Sequence, residues 1–216
     1  IVDKDKTIDF TNSSNKTKDV FGHGTAVSGI LCSNSKNNIT GIATEIVPYY
    51  AKALNDEGIG DFGSVIGSIL WSVVQRVDLI VMSFGSDIVH PTFHDAIKKA
   101  YNSGIAMIAS AGNFSVHTHD ASFPARFPEV FAVGYSQEKT DMKFEKMKDS
   151  MGLIFSNKSI TTTWAGNKFI NFNGSSTGSA IIGGIGAIIL EKMSSNQMRD
   201  RTPLSFYQNI MNLFED

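Results

Sequence analysis

Asn173-Gly-Ser-Ser-Thr-Gly-Ser-Ala-Ile-Ile-Gly-Gly-Ile-Gly-Ala-Ile-Ile189 begins as small polar residues and turns wholly apolar at Ala180. From Ala180 to Leu190 it carries no charge and holds glycines at Gly183, Gly184 and Gly186. A glycine inside a helix costs roughly 1 kcal/mol against alanine, so this density predicts a buried helix that other parts of the chain approach closely. Ser175, Ser176, Thr177 and Ser179 stand at its mouth. Taken alone they read as cap residues. A helix N-terminus also offers unpaired N–H groups and a partial positive charge, which suits a hydroxyl that attacks a carbonyl and develops an oxyanion.

Upstream of that helix the chain alternates in type. Ile46–Leu54, Asp78–Ser83, Ile105–Ala111 and Val130–Gly134 read as apolar strands. Phe62–Arg76 places Val65, Ile66, Ile69, Leu70, Val73 and Val74 at helical spacing. Pro91–Asn102 gathers Phe93, Ala96, Ile97, Ala100 and Tyr101 on one helical face and stops at Gly104. Strands apolar on both faces, alternating with amphipathic helices, predict a three-layer α/β fold in which a mainly parallel sheet has helices on both faces. Ligand groups in such sheets gather at the carboxyl ends of the strands, where Ser83-Phe84-Gly85 and Gly112-Asn113 fall. Residues 1–20 are a polar loop with at most a short strand. The charged stretch Glu138–Asp149 is irregular, and short strands are expected near Gly152–Phe155 and Lys168–Phe172. Thr202-Pro203 opens a closing helix with Leu204, Tyr207, Ile210, Met211 and Phe214 on its apolar face. With no repeat and no linker, residues 1–216 read as a single domain.

Composition narrows the function. The 216 residues are 42% apolar with a formal net charge of −2, and they hold neither a basic patch nor a long acidic run. Nucleic acid and anionic membranes are therefore not expected as partners. The longest apolar run falls short of the roughly 20 residues of a membrane span. The opening at Ile1 shows no signal peptide and no Met, and reads as a processed or trimmed product. Cys32 is the single cysteine, so no internal disulfide forms. It lies about two and a half turns beyond His23 on one predicted helix and faces away from it, which removes a Cys–His dyad.

Five further fragments carry a more specific message. Phe21-Gly-His23-Gly-Thr-Ala-Val-Ser-Gly29 leads a histidine into a helix of small residues. Met82-Ser-Phe-Gly85, Ala109-Ser-Ala-Gly-Asn113, and Phe123-Pro-Ala-Arg-Phe-Pro128 with Val130-Phe-Ala-Val-Gly134 follow, before Gly174–Gly184. In this order they resemble the subtilisin-like serine proteases, the subtilases, over essentially the whole chain. The resemblance implies a serine endopeptidase working through an acyl-enzyme. In it Ser176 is the nucleophile, His23 its general base, and the Asn113 side chain with the Ser176 N–H forms the oxyanion hole. It implies a polypeptide substrate paired with Ser83, Phe84 and Gly85, with Ala109, Ser110, Ala111, Gly112 and Ser122 around the side chain that precedes the scissile bond. Asp120 would favour a basic residue there. It also implies secretion or a cell-surface location, and the chain's own N-terminal segment or propeptide as a partner.

Three departures from the family pattern stand out. Gly178-Ser-Ala180 replaces the family's Ala-x-Pro after the nucleophile. The loop Cys32–Thr40 is too short and too poor in carboxylates for the calcium site many subtilases build there, so no cofactor is expected. The triad aspartate is not evident. Asp3, Asp5, Asp9 and Asp19 are followed by Lys, Lys, Phe and Val, where the family has Ser or Thr and then Gly. Asp3 and Asp9 follow apolar residues and are the internal candidates. The stronger expectation places the aspartate strand upstream of Ile1. The alternative function is a catalytically silent subtilase-fold binding or regulatory module. A nucleotide site at Gly183–Gly186 lacks a phosphate-binding lysine, and a metal site from His90 with His94, or His117 with His119, lacks a third ligand.

Overall fold

The computed structural model describes residues 3–13, 15, 17–34, 39–114, 121–137, 141–147, 151–156, 159–195 and 202–215. A 3₁₀ turn at Lys4–Lys6 leads into β1 (Thr7–Asp9), α1 (His23–Cys32), β2 (Tyr50–Lys52), α2 (Phe62–Gln75) and β3 (Leu79–Met82). Then come α3 (Pro91–Asn102), β4 (Ala106–Phe114), β5 (Phe131–Ser136), β6 (Lys143–Lys146) and β7 (Gly152–Ser156). The hairpin of β8 (Ile160–Trp164) and β9 (Lys168–Phe172), then α4 (Ser175–Ser195) and α5 (Pro203–Asn212), complete the chain.

The main sheet has the order β3-β4-β5-β7-β6, parallel except for the last pair. Residues alternate between its faces along each strand. Met107 and Ala109 of β4 join Ala132 of β5 and Met82 of β3 in a core beneath α2 and α3. Ala106 and Ile108 join Phe131, Val133, Leu153 and Phe155 in a second core with Ile182 of α4 and Phe206, Tyr207 and Ile210 of α5. These two cores on either side of one sheet are the three layers expected from the sequence. The sheet is interrupted beyond β3: β1 and β2 pair in parallel with each other, Thr7 opposite Tyr50, and form a separate two-stranded ribbon.

Helix boundaries follow local chemistry. Asp61 accepts from the Ser64 N–H to cap α2, and Arg76, at φ 55°, ends it in the left-handed region. α3 spans the predicted residues, with Pro91 in its first turn. The strand expected over Ile46–Leu54 shrinks to Tyr50–Lys52, because only these residues find a partner in β1. Lys143–Lys146, inside the stretch read as irregular, pairs antiparallel with β7. In α5 the buried face is Phe206, Tyr207 and Ile210, while Leu204 is 47% exposed. The Tyr207 hydroxyl accepts from the Met107 N–H at 2.8 Å and donates to the Glu129 carbonyl at 2.9 Å, tying α5 to β4 and to the approach to β5.

The buried helix α4 is crowded as its glycines require. A Cβ added at Gly183 would stand 2.8 Å from Val81 Cγ2, at Gly184 2.7 Å from Ile42 Cβ, and at Gly186 2.7 Å from Phe206 Cζ. No helix among the described residues is long and apolar enough to cross a membrane.

Candidate active site

Gly174 turns the chain out of β9 at φ 96° and sends it into α4. Its carbonyl accepts from the Thr177 and Gly178 N–H groups. The Ser175 N–H donates to Asn113 Oδ1 at 3.0 Å. That bond fixes the Asn113 amide on the end of β4 with Oδ1 toward the helix, which leaves Nδ2 as the donor end of the amide. Among the described residues the Ser176 N–H has no partner, as expected in a first helical turn. Asn113 and the Ser176 N–H therefore lie side by side at the mouth of α4.

Ser176 Oγ lies 3.2 Å from His23 Nε2 and 3.3 Å from the Ser83 carbonyl. The hydroxyl has one proton for these two acceptors. Ser179 Oγ donates to the Ser176 carbonyl at 3.0 Å and meets Ser83 Oγ at 2.9 Å, so β3 and α4 are bridged directly below the hydroxyl. A Cβ at Gly178 would stand 2.8 Å from Phe155 Cβ and from Val133 Cγ1, which seats this turn hard against β5 and β7.

His23 is the first residue of α1 and presents its ring edge-on to Phe172 at 5.5 Å. Burial lowers its pKa, and the charge of Asp19 partly offsets that shift. Asp19 Oδ1 accepts from the Gly22 N–H, and Oδ2 accepts from the Thr25 N–H and hydroxyl, all at 2.7 Å. Asp19 thus satisfies the start of the histidine helix. On the other side of α1, Thr162 and Thr163 of β8 donate to the Ala26 and Thr25 carbonyls at 2.9 Å.

Asp3 and Asp9, the internal candidates for the triad carboxylate, do not bond the His23 ring, although Asp9 Oδ2 is buried without a partner among the described residues. Asp3 pairs with Lys6 at 2.8 Å, and Asp9 accepts from the Thr11 N–H and hydroxyl at 2.7 Å. Among the described residues no carboxylate hydrogen-bonds the His23 ring. Cys32 meets Tyr50 rather than His23. His94 bonds Glu129 at 3.0 Å and stacks on Phe127, while His90 packs on Phe62, so these two histidines do not converge. No cluster of metal-ligating side chains occurs among the described residues. His117, His119 and Asp120 lie outside them.

A groove of about 410 Å³ opens beside Ser176. Ser83, Phe84, Gly85, Ser110, Ala111, Gly112 and Ser122 line it as the sequence suggests, with Asn113, Ser175 and Ser176 at one end. Ala109 does not line it. It is fully buried in the α2–α3 core, because β4 keeps its regular alternation up to the register shift between Ser110 and Gly112. Ser86, Asp87 and Phe114 complete the wall and were not singled out from the sequence. Ser86 and Asp87 directly continue Ser83–Gly85, and that continuation was the available signal. The part Asp19 plays at the start of α1 was missed as well, because it stands three residues before Gly22, outside the usual capping position.

A model of the subtilase family matches residues 2–211. Subtilisin DY of Bacillus licheniformis is 30% identical over 199 residues, covering 89% of this chain and 73% of that protein. The intracellular serine protease of Paenibacillus polymyxa is 30% identical over 199 residues, covering 90% of this chain and 61% of that protein. The solved structure of sphericase superposes with a TM-score of 0.76 at 21% identity, over 95% of this chain and 75% of that one, which establishes the shared fold.

Proposed function

This chain belongs to the subtilase family, and from that premise we propose that it carries the serine-and-histidine half of a serine endopeptidase site. The observation that carries the reading is the 3.2 Å approach of Ser176 Oγ to His23 Nε2 at a helix N-terminus. Ser176 attacks the scissile carbonyl while His23 takes its proton and returns it to the leaving amine. The carbonyl oxygen becomes an oxyanion between Asn113 Nδ2 and the Ser176 N–H. A peptide laid along Ser83–Gly85 as an added strand has a backbone N–H for the Ser83 carbonyl. Taking that acceptor leaves the Ser176 hydroxyl with His23 alone, so binding would itself direct the proton.

The His23 ring lacks a carboxylate partner among the described residues, and the sheet is interrupted between β2 and β3. The reading therefore includes a strand from outside these residues that fills the interruption and brings the third triad member. The same observation favours a second reading, a silent binding module of subtilase fold.

A fluorophosphonate probe separates the two. Under the first reading Ser176 is labelled, and Ser176→Ala loses labelling and peptide cleavage with a change in stability of only about 1 kcal/mol. Absence of label on the full-length protein favours the silent module, and cleavage by pure Ser176→Ala rules out Ser176 as nucleophile.

A further inference from the structure

Among the described residues that line the groove beside Ser176, only Asp87 carries an ionisable side chain. It is exposed, and it makes no hydrogen bond or ion pair among the described residues. Asp19, Asp61 and Asp56, by contrast, are committed: Asp19 holds the start of α1, Asp61 caps α2, and Asp56 pairs with Lys52 at 2.6 Å. The backbone that presents Asp87 is nonetheless held in place. Ser86 exchanges both backbone hydrogen bonds with Phe123 at 2.9 Å, and its hydroxyl accepts from the Ile88 N–H at 3.1 Å. An uncommitted carboxylate is thus mounted on a fixed segment at the rim of the groove.

The remaining walls suit a long side chain with an apolar stem. Gly85 and Gly112 contribute no side chain, and Ser122 Oγ fills the space that a Cβ at Gly85 would need. Phe84, Ala111 and Phe114 supply apolar surface, and Ser86, Ser110 and Ser122 supply hydroxyls. A lysine or arginine side chain lays its methylenes along such surface and keeps its charged head at a polar rim.

We propose that Asp87 is a specificity-determining residue which selects peptides with a lysine or arginine side chain in the groove beside Ser176. This rests on the peptidase reading for its chemistry but not for its binding step, and the two fail separately. A charge pair at an exposed rim contributes little to affinity but discriminates by sign, since an acidic residue at the same place is repelled.

The test uses acetylated tetrapeptides that differ only in the last residue, Arg, Lys, Leu or Glu. They are supplied as p-nitroanilides for cleavage by the full-length protein and as amides for calorimetric binding to its Ser176→Ala variant. The expected order is Arg and Lys above Leu, with Glu last. Asp87→Asn should reduce the Arg-to-Leu ratio by about fivefold, the upper range for an exposed ion pair, and Asp87→Lys should favour Glu. Raising the salt concentration should shrink the Arg-to-Leu ratio of the unaltered protein and not that of Asp87→Asn. An Arg-to-Leu ratio that Asp87→Asn leaves unchanged in binding and in cleavage overturns the inference, while the peptidase reading stands. Asp87-dependent binding without cleavage supports it and removes the peptidase reading instead.

Discussion

At the scale of single residues, the protonation of His23 governs what the site can do. Burial holds its pKa below the ordinary 6.5, so the neutral imidazole needed as a base persists into mildly acid solution. For the 216-residue chain without a triad carboxylate, the acid limb of its residual kcat/KM is expected below pH 6.5; a carboxylate brought beside the ring would raise it. Asp19→Asn removes the charge that raises the pKa of His23, and should move that limb to still lower pH; an unmoved or raised limb would contradict it. The same shift bears on folding. The unfolded chain binds the His23 proton more readily than the folded one. This contribution to stability is therefore complete above pH 6.5 and is lost as pH falls from there toward the folded value, which urea midpoints across that range would report. Asp19→Ala also strips three hydrogen bonds from the first turn of α1, and should cost about 1–3 kcal/mol in denaturant unfolding. Ser176, His23 and Asn113 were legible in the sequence because each stands in a short motif whose neighbours must be small. Asp19 and Asp87 were not. Their roles depend on which backbone groups and groove walls the fold brings beside them, and neither stands in a pattern of its own.

Among elements, α4 depends most on close contact. Gly178→Ala gains about 1 kcal/mol of helix propensity, but its Cβ would press on Phe155 Cβ, which no rotation can move aside. Overpacking costs about 1–3 kcal/mol, so a net loss of about 1 kcal/mol is expected, read as a fall of roughly 2–4 °C in Tm. A Tm that rises would mean that β5 and β7 give way. The helices were well defined in the sequence: α3 by its apolar stripe and Pro91, α4 by its glycines. The strands of the main sheet were found to within a few residues, because burial on both faces leaves a continuous apolar run. β6 was hidden, since Lys143 and Glu145 face away from the core along an edge strand and dilute the signal. In α5, Tyr207, Ile210, Met211 and Phe214 pack as the sequence placed them, but Leu204 is exposed and Phe206 was missed, because Thr202 starts the helix at a phase in which Phe206 meets the sheet.

For the molecule as a whole, protection should follow the layers. Amides of β4 from Ala106 to Ala111 and of β5 from Phe131 to Tyr135, in strands paired on both sides and buried there, are expected to exchange with deuterium slowest, and those of the ribbon β1–β2 and the hairpin β8–β9 fastest. Equal protection of β2 and β5 would show that the interrupted sheet behaves as one. If the triad carboxylate comes from a strand outside these residues, the 216-residue chain alone should cleave about 10⁴-fold more slowly than a protein that includes it, measured as kcat on one peptide substrate. The interruption beyond β3 was not legible in the sequence, since pairing partners are chosen in three dimensions. The Tyr207 hydroxyl, finally, has a consequence for the order of synthesis. It supplies the acceptor for the amide of Met107 and a donor for the carbonyl of Glu129, groups made long before it. A chain emerging from the ribosome exposes β4 and β5 while both groups still need water, and the centre of the sheet cannot close until α5 arrives. The centre of the sheet is therefore completed only once α5, well behind β4 and β5 in the chain, has emerged, however early the first helices form.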